Sequence, residues 1–226
     1  MKFCGKFLKT RSKYSDPDLH KCFLREGHQG PCEEEPFLKG LGVSAPRVKA
    51  KIHRDATMTT GASWKSEDAG PNRIRRWVML KSDTELLGLG IDMAKLKPQV
   101  VAKLREKAAD YDACMAVAQK LTYLAYCMTN APAPPQADKD YLEELFGPIV
   151  QGTTVCQVCR EPLDFGLFEA AKRGKAEIET SHSDPRLHAP GNVGFAHRAC
   201  NIAQGNKTIG DFYNWIEGIV NRVKKS

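Results

Sequence analysis

Two short pairs of metal-binding residues constrain the C-terminal part of this chain more than any other feature of its sequence. Cys156 and Cys159 are separated by two residues, and His197 and Cys200 repeat that spacing about forty residues later. Thiolates and imidazoles are the ligands that Zn²⁺ prefers, and each pair is close enough to bind one ion from a single turn. Cysteines buried only for packing would not explain the matched spacing. The four residues therefore predict a structural zinc site.

A second group of metal-binding residues lies near the N-terminus, and it consists of Cys4, Cys22, His28 and Cys32. Residues 1–40 contain few aliphatic side chains, and a segment of this kind needs a metal to fold. We predict a second zinc site here, with His20 as an alternative to Cys4; the competing interpretation is a partly disordered basic arm. Cys114 and Cys127 remain, and we expect them to pack in the core.

The region between the two clusters, residues 41–135, is expected to be a mixed but mainly helical accessory region. Apolar residues recur at helical spacing over 97–129, and Pro98 occupies a first-turn position where proline is tolerated. This pattern predicts one long helix, or two shorter ones. Prolines in 131–138 end it, and we place a domain boundary there. Residues 41–94 lack such periodicity, so we expect irregular structure, with a loop over 59–72 and a short strand or helical turn over 73–80.

Residues 136–226 are expected to form the C-terminal domain. A strand ending at His182 is followed by a loop, by a second strand over Val193–Ala196, and by a helix that carries Cys200 and that Gly205 could end. The predicted order is therefore strand, loop, strand, helix.

A final amphipathic helix is predicted after this unit. Thr208 and Asp211 approximate a capping box at its start. Its apolar residues fall on one face, which we expect to pack on the preceding module: Ile209, Phe212, Ile216, Ile219 and Val223.

This arrangement resembles the HNH endonuclease family. In its commonest pattern an asparagine is followed five and eight residues later by a zinc-binding pair and nine residues later by another asparagine. Asn192, His197, Cys200 and Asn201 reproduce this spacing, and His182 precedes them. The resemblance covers residues 153–210. It implies an α+β protein with a C-terminal ββα-metal zinc module, a mainly helical middle region and a small N-terminal zinc-binding segment.

The resemblance also implies roles for individual residues. His182 would be the general base, Asn201 a ligand of a catalytic Mg²⁺ or Mn²⁺, and Asn192 the residue that fastens the loop presenting His182. An imidazole that titrates near neutrality suits proton abstraction from water, and a hard cation suits a phosphate.

One position departs from the family pattern. Many members have an aspartate or histidine metal ligand immediately before the catalytic histidine, whereas this chain has Ser181. We therefore expect the second ligand to be Asp184 or Ser181, ahead of Glu179 and His188.

The charge of the chain favours a polyanionic partner. The formal net charge is +7 and the isoelectric point about 9.0, with basic clusters at 47–54, 73–76, 172–175 and 222–225. These clusters could contact phosphates or remain solvated. The partner implied by the resemblance is double-stranded DNA, and the expected product carries a 5′ phosphate.

The chain lacks an apolar run long enough for a membrane span and an evident secretory signal, so we expect a cytoplasmic protein without membrane association. A restriction enzyme or a phage or mobile-element nuclease would fit. A homodimer would let two active centres address both strands. The alternative is a non-catalytic zinc protein that binds DNA as a regulatory or architectural factor.

Overall fold

Helix α5 (Tyr111–Tyr126) lies at the centre of this computed structural model, which describes residues 2–6, 21–60, 73–170 and 176–225. The Asp110 side chain caps the helix by accepting a hydrogen bond of 2.7 Å from the Ala113 amide. Its first turns, with Met115, contribute to one hydrophobic core, and its later turns, with Leu121, contribute to another. The helix is apolar on most sides because both of these cores pack against it.

Short elements precede α5 in the following order: a 3₁₀ turn (Pro36–Leu38), α1 (Lys39–Ser44), α2 (Pro46–Thr57), β1 (Met58–Thr60), β2 (Arg73–Arg75), a 3₁₀ turn (Arg76–Leu80), α3 (Asp83–Gly88), a 3₁₀ turn (Met93–Lys95) and α4 (Pro98–Glu106). The expectation of irregular structure over 41–94 is therefore wrong where these helices form, whereas 73–80 forms a short strand and a 3₁₀ turn, as expected. Residues 61–72 of the predicted loop lie outside the described residues. Helix α2 buries Val48, Ile52 and Ala56, which are spaced four residues apart. This four-residue spacing, together with Pro46 in the first turn, indicates a helix. The charged residues between the buried positions hid that signal in the sequence.

The periodic segment 97–129 forms two helices rather than one. Helix α4 ends at Glu106, and α5 starts afresh after the Asp110 cap. A side chain that accepts from the backbone at a helix start competes with continuation of the preceding helix, which explains the break. The alternative of two shorter helices is the correct one.

The C-terminal part contains α6 (Gln136–Phe146), α7 (Phe165–Glu169), β3 (Ile178–His182), β4 (Val193–His197), α8 (Arg198–Gln204) and α9 (Ile209–Val223). Strands β3 and β4 pair antiparallel, with Ile178 opposite His197 and His182 opposite Val193. Helix α8 follows β4 directly and ends at Gly205, whose φ of 59° suits a residue without a side chain.

One hydrophobic core contains residues from all three predicted segments. Phe37, Leu121 and Phe195 belong to the same buried cluster, and each is at most 1% exposed. The proline-rich stretch 131–138 therefore connects elements that share a core rather than separating two cores.

Helix α9 packs on the module only through its first turns. Thr208 caps it, since its hydroxyl accepts a 3.1 Å hydrogen bond from the Asp211 amide. Phe212 is buried and Ile209 and Ile219 are half-buried, but Ile216 is exposed and Val223 is 68% exposed, so the predicted buried stripe is wrong at these last two positions. The helix extends beyond the surface it packs against. Like the other helices of the described residues, α9 lacks the length and apolar character needed to cross a membrane.

Candidate active site and metal centres

The C-terminal cysteine and histidine residues converge as the spacing predicts. The ligand atoms of Cys156, Cys159, His197 and Cys200 all lie within 4.8 Å of one another. The Cys159 Sγ and the His197 Nδ1 are 3.4 Å apart. Ligands of a tetrahedral zinc are separated by roughly 3–4 Å, given metal–ligand bonds of about 2.0–2.3 Å. The donor set therefore fits Zn²⁺, and an ion here would join a turn before β3 to the start of α8.

The N-terminal residues form a second group of the same kind. The ligand atoms of Cys4, Cys22, His28 and Cys32 also lie within 4.8 Å of one another. His28 Nε2 is 3.4 Å from the Cys22 Sγ and 3.8 Å from the Cys32 Sγ. The Cys4 amide donates to the Leu24 carbonyl and the Gly5 amide donates to the Cys22 carbonyl, and these bonds hold residues 4–5 against residues 22–24. The alternative ligand His20 lies outside the described residues.

A cleft of about 380 Å³ separates the hairpin and α8 from the helical region. Its walls are formed by Lys51, Asp55, Met58, Arg76 and Lys107 on one side and by Glu179, Thr180, His182, Pro185, Asn201, Gln204, Gly205 and Asn206 on the other. Two of the three residues predicted to be catalytic, His182 and Asn201, therefore line one space.

His182 is held at the end of β3 by a second histidine. Its Nε2 lies 3.2 Å from the Nδ1 of His188, which is itself 6% exposed. Burial, together with the nearby cations Arg76 and Lys107, lowers the pKa of His182 to about 4. The imidazole is thus neutral at physiological pH and able to accept a proton.

Asn201 faces a carboxylate on the neighbouring strand. Its Nδ2 donates a hydrogen bond of 3.0 Å to Glu179 Oε2. The other carboxylate oxygen of Glu179, Oε1, lies 3.5 Å from Nη1 of Arg198. Both Asn201 and Glu179 line the cleft. Oxygen ligands from a carboxylate and an amide are those that Mg²⁺ and Mn²⁺ take.

Ser181 and Asp184, the ligands preferred from the sequence, are placed differently. Ser181 is 1% exposed, and its hydroxyl donates to Gln204 Oε1 over 3.4 Å. The Asp184 carboxylate accepts from the Arg186 amide at 2.9 Å within the loop. Neither residue lines the cleft. Among the candidate ligands named from the sequence, Glu179 is the carboxylate that lies beside Asn201 in the cleft.

Asn192 fastens the loop between β3 and β4 without entering the cleft. Its Oδ1 accepts from the Asp184 amide at 2.8 Å, while its Nδ2 donates to the carbonyls of Asp184 and Leu187 at 2.7 and 2.6 Å. These three bonds tie Asn192, at the end of the loop, to backbone groups near its beginning. The loop that begins after His182 is thereby fixed in shape.

The wall contributed by the helical region could not be read from the sequence. Arg76 is 6% exposed and donates to the carbonyls of Lys107 and Asp55, both at 3.0 Å. Burial opposes ionisation of Asp55, but Lys51 and Arg54 lower its pKa below the ordinary value. Asp55 also accepts a 3.0 Å hydrogen bond from Thr180 on β3. The sequence signal for this wall was that Lys51 and Arg76 belong to two of the basic clusters. The basic cluster at 172–175 lies outside the described residues.

Comparisons with known proteins identify the family. A model of the DraIII family matches residues 34–200, which include the cysteine and histidine residues of the C-terminal cluster, most of both cores and the cleft residues that precede Asn201. A solved structure described as a type II restriction endonuclease is 47% identical, with a TM-score of 0.88 and complete coverage of both chains. A search of curated proteins gives no match. The chain therefore belongs to the DraIII family of restriction-type endonucleases.

Proposed function

We propose that this chain is a divalent-metal-dependent endonuclease of the HNH (ββα-metal) type, which hydrolyses double-stranded DNA and leaves 5′-phosphate ends. The observation that carries the proposal is that a neutral histidine, an amide, a carboxylate and three cations line one cleft: His182, Asn201, Glu179, Lys51, Arg76 and Lys107. Membership of a restriction endonuclease family supports DNA as the substrate.

His182 acts as the general base. Its neutral imidazole takes a proton from water as the water oxygen bonds to phosphorus, and the bond from phosphorus to the 3′ oxygen breaks. The 3′ oxygen leaves and the phosphate stays on the 5′ side. A bound phosphate anion offsets the repulsion from Arg76 and Lys107 that lowers the pKa of His182, so the base strengthens once substrate is in place.

Glu179 and Asn201 are the residues that would hold the catalytic metal. Their carboxylate and amide oxygens are hard ligands, and they face a space large enough for an ion and its water molecules. A bound Mg²⁺ or Mn²⁺ would neutralise the phosphate and stabilise the departing oxygen. Asn192 does not touch substrate and is a positioning residue, because its three hydrogen bonds set the loop that follows His182.

Arg76, Lys51 and Lys107 bind the phosphates that flank the scissile bond. Burial lowers the pKa of Arg76 to about 10, which leaves the guanidinium charged at neutral pH. Two of its nitrogens are held by backbone carbonyls, so the group is fixed before substrate arrives. Positioning of this kind favours a phosphate in one place rather than a diffuse attraction.

Zinc ions in the two cysteine–histidine clusters have a structural role in this proposal. The C-terminal ion would fix the end of β4 and the start of α8, between Asn192, which immediately precedes β4, and Asn201, which lies on α8. The N-terminal ion would join residues 2–6 to residues 21–32.

A second copy of the chain would bring another cleft to the opposite strand. We propose that α9 contributes to that contact, because its exposed face carries Trp215, Ile216, Val220 and Val223. Exposed apolar surface of this kind marks interaction sites.

The test is cleavage of a plasmid by purified protein with Mg²⁺ or Mn²⁺, beside His182→Ala. We expect nicking and linearisation by the native chain, loss of at least about 100-fold in rate for the variant, and DNA binding in Ca²⁺ by both. The matched control is His53→Ala, since His53 lies on α2 outside the cleft. Ligation of the products without prior phosphorylation reports the 5′ phosphate. Binding by the native chain without cleavage would favour the regulatory alternative, and equal cleavage by His182→Ala would remove His182 as the base.

A further inference from the structure

We propose that His188 is a positioning residue that fixes which ring nitrogen of His182 faces the substrate, by relaying a hydrogen bond from the end of helix α2. This inference rests on the proposed role of His182 as general base. It assigns a purpose to a buried histidine that touches neither the cleft nor either cysteine cluster.

The direction of each hydrogen bond follows from the groups at its two ends. His188 Nε2 lies 2.8 Å from the carbonyl oxygen of Ala56, and a carbonyl oxygen can only accept. The His188 Nε2 therefore carries a hydrogen. In a neutral imidazole the other nitrogen then has a lone pair, so His188 Nδ1 is an acceptor.

The same reasoning passes to His182. Its Nε2 lies 3.2 Å from His188 Nδ1, and a hydrogen bond between them requires His182 Nε2 to donate. The remaining nitrogen of His182, Nδ1, is left with the lone pair. Two N–H groups facing each other would repel, so His182 Nε2 and His188 Nδ1 cannot both carry hydrogen.

The relay begins at the Ala56 carbonyl, near the C-terminal end of helix α2. Helix α2 ends at Thr57, so the Ala56 carbonyl is one of the last four, which lack partners inside a helix. These carbonyls carry the partial negative charge of the helix C-terminus, which attracts an N–H group. The Thr180 hydroxyl donates to Asp55 one residue earlier, so two hydrogen bonds fix the β3–β4 hairpin to this end of α2.

Both rings are in the right state for the relay. Burial lowers the pKa of His188 to about 3, and it keeps His182 neutral as well. His188 is 6% exposed and His182 is half-buried at the cleft wall, so water does not compete at the inner bond. A wrong tautomer would leave the base with an N–H pointing at the water it must deprotonate.

The direct test is NMR of protein labelled with ¹⁵N-histidine, in which two-bond couplings show which ring nitrogen carries hydrogen. The chain has six histidines, and His182→Gln identifies the resonances of His182. We expect His182 and His188 of the native chain both to carry hydrogen on Nε2. Hydrogen on Nδ1 of either ring would overturn the proposal, whatever the variants do.

Variants at His188 supply the second test. His188→Leu keeps bulk but removes both hydrogen bonds, and we expect His182 to populate both tautomers and single-turnover cleavage to fall about 10- to 100-fold, with DNA affinity in Ca²⁺ unchanged. His188→Asn keeps an acceptor near the position of Nδ1 and should recover part of the rate. Unchanged cleavage in folded His188→Leu would overturn the relay. If His182→Ala cuts normally while the native tautomers are as expected, the proposed function fails but the relay stands.

Discussion

The side-chain amide of Asn201 on α8 donates a 3.0 Å hydrogen bond to the carboxylate of Glu179 on β3. This contact joins the amide nitrogen of Asn201 to a carboxylate at the wall of the cleft, and it defines the pair of residues that we propose as metal ligands.

The first prediction follows from this pair. Glu179→Gln keeps the shape of the side chain but removes its charge, so we expect a higher Mg²⁺ concentration for half-maximal cleavage and a rate at least about 10-fold lower. A metal titration of plasmid cleavage measures both. Glu177→Gln is the matched control, because Glu177 is exposed, two residues away, and outside the cleft. An equal loss in the two variants would argue against a metal-binding role for Glu179.

The second prediction concerns the phosphate contacts. Burial lowers the pKa of Lys107, which lines the cleft at the end of α4. Lys107→Ala should weaken DNA binding and reduce the slope of log affinity against log salt by about one. Fluorescence anisotropy over a range of salt concentrations gives this slope. Lys103→Ala, one turn earlier and exposed, should change it less. Affinity of the native chain that does not vary with salt would contradict the proposed contacts.

The third prediction is the metal content. We expect about two zinc ions per chain, one in each of the two cysteine–histidine clusters. Cys159→Ser and Cys32→Ser should each lose one ion, and Cys127→Ala, a buried cysteine outside both clusters, should lose none. Metal analysis of purified protein gives the count. A chelator strong enough to remove both ions should lower the melting temperature, since metal binding and folding are coupled.

The sequence could predict a feature only where the residues that form it lie close together along the chain. The C-terminal cysteine and histidine residues come in two pairs, each separated by two residues, and the Thr208 cap needs only residues of its own turn. Both features could therefore be recognised without the fold. Glu179 could not be chosen over Ser181, because that choice depends on how α8 lies on β3. Asn201 meets Glu179 and Gln204 meets Ser181, a register that only tertiary packing decides.

The opposite wall of the cleft was missed for the same reason. Lys51 and Arg76 are 25 positions apart in the sequence, and nothing near either residue indicates a shared cleft. Helix α2 was overlooked because its buried positions are separated by charged residues of a mainly polar segment. The relay from Ala56 through His188 likewise joins residues 132 positions apart.

The fourth prediction tests α2 as a support of the cleft. Ile52 is 0% exposed in the main core, so Ile52→Ala should lower the free energy of unfolding by about 2–5 kcal/mol. Val43→Ala, at a position that is 89% exposed, should change it by less than about 0.5 kcal/mol. Denaturant unfolding monitored by circular dichroism gives both values. A loss below about 1 kcal/mol for Ile52→Ala would mean that α2 contributes little to the core.

The fifth prediction concerns the exposed face of α9. Trp215 is 47% exposed and Val220 is 41% exposed, and a dimer would bury part of this surface. If two copies associate through α9, Val220→Asp should shift the mass measured by light scattering from dimer to monomer, because an unpaired charge is costly to bury. The free energy of unfolding of the monomer should be little changed, since Val220 does not pack in the core. Glu217→Lys on the same helix reports whether charge alone alters association. A native chain that is monomeric at the concentrations used for cleavage, with and without DNA, would remove the dimer and leave each strand to be cut in a separate encounter.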